Sequence, residues 1–184
     1  GLRKIQVVDN GEGMSEEDVR EAWKPHTTSK IDSELELYSI KSFGFRGEAL
    51  SSLAAVSTLT IQSRREKDAT GFAVFVKEGK LVKASVVGMP IGTIVTAQDL
   101  FTNIPARKKF LNSPQIELRY MLDVVNNFAI AHPSVHFTFL HGKRVLVDYP
   151  PTKDVAERVE QFLGNDVSSF FIPALDPFLD FFAF

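Results

Sequence analysis

The chain has 184 residues, is 44% hydrophobic and 24% charged, and carries a formal net charge of −2. That is material for one domain, or one domain and part of another, with enough apolar residues for a sizeable core, so disorder is not the default, and no global basic field announces nucleic acid. With no cysteine, disulfide scaffolds, thiolate metal sites and cysteine nucleophiles are excluded as well, and an intracellular compartment is compatible.

No run approaches the ~18 apolar residues of a membrane span. The 16 phenylalanines are expected mostly in the core. There is no initiator Met, and the apolar end "FIPALDPFLDFFAF" is broken by Pro173, Asp176, Pro177 and Asp180. Both features predict a piece of a longer protein. Basic clusters "SRREK" (63–67) and "ARKKF" (106–110) read as solvated faces that can also touch phosphates.

In chain order, "KIQVVD" predicts a short buried strand ending at Asp9. Ser15 predicts a helix cap with Asp18 in capping-box position, and the helix "EEDVREAW" stops before Pro25. His26 to Phe43 reads as a loop with one helical turn at "SELEL", and "GFRGEALSSLAAV" as a glycine loop entering a helix. "STLTIQSR", "GFAVFVKEGKLVKASVV" and "GTIVTAQDL" predict a strand, a hairpin turning near Glu78-Gly79, and a further strand.

"NIPARKKFL" opens a helix with Pro105 in its first turn. Apolar residues at Ile116, Tyr120, Val124 and Phe128 predict a longer one. "SVHFTFL", "HGK" and "RVLVDY" make a second hairpin, "DVAERVEQFLG" a helix stopped by Gly164, and "SSFFIP" a last strand. Helices and hairpins without a βαβα rhythm give the α+β class.

Four stretches can carry chemistry. In "DNGEGMSEEDV", Asp9 at a strand end can accept from an amine such as adenine N6. Gly11 and Gly13 let backbone approach a ring or take positive φ. An Asn-Gly turn before a capped helix explains the same residues. In "SFGFRGEAL", Gly44, Phe45, Arg46 and Gly47 precede a helix start and can cradle an anion, or simply let the helix pack tightly.

Thr28, Ser29 and Lys30 of "HTTSK" suit a lid over phosphates or a polar exposed loop. Thr93 in "GTIV" can hold a water at an adenine edge, or be an ordinary β-branched strand residue. The four histidines have no metal-ligand spacing, and no serine-nucleophile elbow occurs.

Taken in order and spacing, "DNGEGM", "PHTTSKI", "FGFRGEALSSLAAVSTLTI" and "GTIVTAQDLFTNIPARKKFL" resemble the MutL family of DNA mismatch-repair proteins. "HGKRVL" and "ERVEQFLG" extend the likeness to about Pro173. The resemblance implies a Bergerat-type ATPase fold, a mixed sheet covered by helices on one face. It puts the ATPase domain, without its first helix and strand, at 1–150. A connecting helix and the start of a second, S5-like α+β domain then fall at 151–184.

It further implies that Asp9 contacts adenine N6, that Gly11 and Gly13 line the base and sugar, and that Thr93 supports the adenine contact. Thr28, Ser29 and Lys30 would belong to the lid, and Gly44, Phe45, Arg46 and Gly47 would wrap the phosphates. The implied ligands are ATP and Mg²⁺, with the general-base Glu and the magnesium-holding Asn expected upstream of Gly1.

The implied partners are a MutS-type mismatch-recognition protein, DNA, and a second MutL-type subunit in a homodimer or heterodimer, with no membrane. The location would be cytoplasm and nucleoid, or nucleus. Thr102 and Thr27 depart from the family's aromatic and Ala, away from the proposed contacts. Two alternatives stay open: a non-hydrolysing interaction module on the same scaffold, and a gyrase- or chaperone-like ATPase, against which "NIPARKKFL" speaks.

Overall fold

The computed structural model describes residues 3–25 and 48–163. Two compact units divide at Pro114, Gly1–Pro114 and Gln115–Phe184.

The first unit is a five-stranded sheet. Its strands are β1 (Lys4–Asp9), β2 (Thr58–Arg64), β3 (Gly71–Lys77), β4 (Lys80–Val87) and β5 (Gly92–Gln98), and they lie in the order β1-β5-β2-β3-β4. Every pairing among them is antiparallel. The β3–β4 hairpin turns at Glu78 and Gly79, both at positive φ (51° and 72°). That is the backbone a two-residue hairpin needs to match strand twist.

Alternation sorts the strands into two faces. Leu59, Ile61, Val74 and Val76 point to one side, and all four are fully buried. Each contributes about 1.5–3 kcal/mol by leaving water. Helices α1 (Glu16–Glu21) and α2 (Ala49–Val56) cover this side, placing Val19 and Ala54 in the same core. The α1 start is the expected capping box: Asp18 N–H donates to Ser15 Oγ (3.0 Å), and Ser15 N–H donates to Asp18 Oδ2 (3.2 Å). Such a cap contributes about 1 kcal/mol. A short helix α3 (Pro105–Lys108) follows the sheet, with Pro105 in its first turn.

The second unit contains α4 (Pro114–Ala131), the antiparallel hairpin β6 (Phe137–His141) and β7 (Arg144–Tyr149), and α5 (Val155–Leu163). Its fixed point is Arg158 on α5, which is fully buried. Its Nη2 donates to the carbonyls of Pro133 and Val135, both at 2.7 Å, so α5 holds the segment entering β6.

Two expectations change: β1, expected as a short buried strand, has all six residues exposed, and the described phenylalanines, expected mostly in the core, lie mostly outside it. Among the described phenylalanines, only Phe72 is buried, and Phe110 is 85% exposed. Phe75 pairs with Thr60 and Lys83 on the side of the sheet away from the core. The helical stripe of Ile116, Tyr120, Val124 and Phe128 is present on α4, but all four stay exposed. Periodicity reports which residues share a face, and it does not report what covers that face. The expected strand at "SSFFIP" and the loop from His26 to Phe43 lie outside the described residues.

Candidate functional site

The site is built where β1 ends beside the start of β5. Their register puts Asp9 directly opposite Thr93. Asp9 Oδ1 accepts from Gly11 N–H at 2.9 Å and from Thr93 N–H at 3.3 Å. Two backbone donors, one on each side, therefore fix the rotation of an exposed carboxylate. Oδ2 has no partner among the described residues, which leaves it free to accept from an amine on a ligand.

The glycines set how closely the chain can approach here. Gly92 has φ +122°, and a Cβ on it would lie 2.0 Å from the Asp9 carbonyl oxygen. Gly13 has φ +73°, and a Cβ there would lie 2.1 Å from the Arg64 carbonyl oxygen. What excludes a side chain at Gly13 is thus the end of β2. A Cβ at Gly11 would meet only Asp9 Oδ1, at 3.0 Å.

Ser63 joins the three segments. Its Oγ accepts from Met14 N–H at 2.7 Å, donates to the Gly92 carbonyl at 3.0 Å, and lies 2.9 Å from Thr93 Oγ1. With its proton on Gly92, Ser63 takes the Thr93 proton, so Thr93 Oγ1 keeps acceptor capacity for a water or ligand donor. Ser63 is 1% exposed and was not among the residues singled out from sequence. The available signal was its register: in "TLTIQSR" it follows Leu59 and Ile61 on the inward side of the strand, a polar residue where apolar ones alternate. Gly92 was missed too, although it directly precedes Thr93.

The sequence-predicted residues Asp9, Gly11, Gly13 and Thr93 come together here. Thr28, Ser29, Lys30, Gly44, Phe45, Arg46 and Gly47 lie outside the described residues. A polar cavity of about 370 Å³ opens nearby among Met14, Ser63, Arg65, Asp68 and Phe72, and of these residues Ser63 belongs to the site. Its wall contains the Arg65–Asp68 ion pair at 2.7 Å, whose hydrogen bond lowers the Asp68 pKa and raises that of Arg65. Among the described residues no cluster of His, Asp and Glu can hold a metal, and no helix is long and apolar enough to cross a membrane.

A strand-end aspartate held by backbone, glycines on both sides and a hydroxyl opposite agree with what sequence comparison finds. Residues 2–97 match the family of histidine kinase-, DNA gyrase B- and HSP90-like ATPases. The chain belongs to that family.

The DNA mismatch repair protein MutL of Streptococcus agalactiae is 39% identical over 98% of this chain, and that of Koribacter versatilis is 38% identical over 94%. The chain spans 28% and 27% of those two proteins. Among solved structures, the Aquifex aeolicus MutL ATPase domain complexed with ADP superposes with a TM-score of 0.71. It is 31% identical, over 86% of this chain and 56% of that one. A second structure of the ATPase domain of that mismatch repair endonuclease gives a TM-score of 0.64, at 31% identity over 87% of this chain and 53% of that one. In this chain the α+β sheet with helices on its buried face is the ATPase-domain fold.

Proposed function

We propose that this chain supplies the adenine end of the ATP site in a MutL-type mismatch-repair ATPase. The observation that carries the reading is the Asp9 carboxylate: Oδ1 is held by two backbone N–H groups, and Oδ2 faces no partner among the described residues. An acceptor fixed in this way suits the exocyclic amine of adenine, and Thr93 Oγ1 can hold a water against the neighbouring ring nitrogen. The donor set fits a purine base. Gly11, and Gly13 behind it, keep the approach to the base and sugar open.

The phosphate end is assigned to Gly44, Phe45, Arg46 and Gly47, with Thr28, Ser29 and Lys30 as the lid. Activation of water is assigned to a Glu before β1, and Mg²⁺, which would neutralise phosphate charge, to an Asn there. The 184 residues alone are therefore expected to bind nucleotide weakly and not to turn it over. In the whole protein, ATP favours the closed lid and the paired subunits, and hydrolysis releases them. That cycle, inside the cell, couples mismatch recognition by a MutS-type partner to later steps on DNA.

The test is a calorimetric titration of ATP into the chain extended on its N-terminal side. Micromolar or tighter binding, weakened on Asp9→Asn, supports the reading. No nucleotide binding, with DNA binding retained, favours the non-hydrolysing module. Robust Mg²⁺-dependent hydrolysis by the 184-residue chain would overturn the assignment of catalysis to residues before β1.

A further inference from the structure

Strand β1 stops at Asp9, and the next two residues, Asn10 and Gly11, are both exposed. Among the described asparagines, Asn10 is the one followed by glycine. Asn126 and Asn127 lie within α4, and the Asn103 amide donates to the Ala55 carbonyl at 2.8 Å. The Asn10 side chain makes no hydrogen bond among the described residues.

An asparagine amide beside glycine is open to attack from its own backbone. The Gly11 nitrogen adds to Asn10 Cγ, the bond from that carbon to its NH₂ breaks, and ammonia leaves with the proton that the Gly11 nitrogen gives up. Water then opens the cyclic imide at either carbonyl, leaving aspartate or isoaspartate at position 10. Glycine permits the approach because it has no Cβ. A Cβ built on Gly11 would meet only Asp9, at 3.0 Å from Oδ1, so no other described residue closes around that nitrogen.

What opposes the reaction is Asp9. Gly11 N–H donates to Asp9 Oδ1 at 2.9 Å, and ring closure must break that bond. The carboxylate also disfavours a negative charge on the nitrogen it faces. Thr93 N–H holds the same oxygen from β5 at 3.3 Å, which anchors the restraint in the sheet. Gly92 packs against the other side: a Cβ there would lie 2.9 Å from Asn10 Cα, so the Asn10 backbone has little room to turn.

We infer that Asn10 is a site of spontaneous deamidation, and that the Asp9 carboxylate, by holding Gly11 N–H, keeps the reaction slow in the folded chain. The isoaspartate product inserts a backbone carbon between Asp9 and Gly11 and adds a negative charge beside Asp9. Gly11 N–H then no longer falls on Oδ1, and the carboxylate loses one of its two backbone donors. The consequence for nucleotide rests on the reading of Asp9 proposed above; the reaction does not.

The test is peptide mapping by mass spectrometry of the folded chain held in mildly alkaline buffer, following isoaspartate at position 10 with time. The chain in urea supplies the unrestrained rate. The folded parent should convert at least about tenfold more slowly than the chain in urea, and folded Asp9→Ala about tenfold faster than the folded parent, the effect of one hydrogen bond to a charged group. Asp9→Asn keeps an oxygen for Gly11 N–H and removes the charge. Its rate should fall between the two, and it decides the matter if Asp9→Ala does not fold. Gly11→Ala should slow conversion in urea.

A folded parent that converts as fast as the chain in urea would overturn the inference. So would Asp9→Ala and Asp9→Asn chains that fold and convert no faster than the parent. In the N-terminally extended chain, the converted fraction, separated by its added charge, should bind ATP more weakly. Conversion at the expected rates with ATP affinity unchanged supports the inference and defeats the nucleotide reading alone.

Discussion

Asp9 and Thr93, 84 residues apart in sequence, face each other across β1 and β5, and the Thr93 N–H reaches the Asp9 carboxylate at 3.3 Å. The bond orients the carboxylate without using both of its oxygens. Asp9→Asn is therefore a clean probe. The amide keeps an oxygen for the Gly11 and Thr93 donors and offers NH₂ where Oδ2 stood, opposite the adenine amine. ATP affinity should fall by roughly 1–3 kcal/mol, about 5- to 150-fold, in a calorimetric titration. The thermal midpoint of the nucleotide-free chain should stay nearly constant.

The two glycines around Asp9 should separate stability from binding. Gly92→Ala puts a Cβ 2.0 Å from the Asp9 carbonyl at a φ of +122°. It should destabilise the fold by more than about 1 kcal/mol in urea. Gly11→Ala meets only the Asp9 side chain, at 3.0 Å, and should cost little stability while displacing the carboxylate and weakening nucleotide binding. Equal effects of the two changes on unfolding would contradict this division.

How much of this was legible beforehand depends on the range of each interaction. The capping box at Ser15 and Asp18, the hairpin turn at Glu78-Gly79 and the alternation of β2 are local, and sequence contains them. The Asp9 loop was legible as chemistry, because an acid and two glycines suffice to propose an acceptor. Ser63 was not, since its role exists only when β2 lies between β5 and Met14. The exposed stripe of α4 marks the opposite limit, where the period was right and burial did not follow.

Ser63→Ala tests that long-range role. It would leave the half-buried Met14 N–H without its Ser63 acceptor and remove a donor from the Gly92 carbonyl. The expected loss is about 1–3 kcal/mol in chemical denaturation. Ser63→Thr keeps the hydroxyl and should recover part of it if the pocket admits a methyl. A Ser63→Ala chain as stable as the parent would mean that the Met14 N–H finds another acceptor.

Arg158 offers a corresponding test in the second unit. Its guanidinium is buried without a carboxylate partner among the described residues, and desolvation lowers its pKa. Its Nη2 bonds to Pro133 and Val135, and its Nη1 donates to Gln161 Oε1 at 2.8 Å. Arg158→Lys cannot span both carbonyls with the same planar fork. It should loosen the segment entering β6, seen as faster amide exchange in β6 and β7 with β1 to β5 unaffected.

The same hairpin carries an acid-sensitive pair. Asp148 on β7 accepts from His136 Nε2 at 2.7 Å and from Thr138 Oγ1 at 3.2 Å. The His136 bond is the main cause of a carboxyl pKa below the usual aspartate range, and Thr138 adds to it. Folding thus favours the ionised form. The contribution is present above the unfolded-state value and is lost as pH falls through the lower folded-state value. The pair is exposed, so the effect should be small and weaken further in salt. Carboxyl carbon shifts followed through an acid titration should place the Asp148 midpoint below that of an unstructured aspartate. His136→Ala should raise it toward that reference, and Thr138→Ala should raise it less. A midpoint that does not move in His136→Ala would show that the two side chains do not pair in solution.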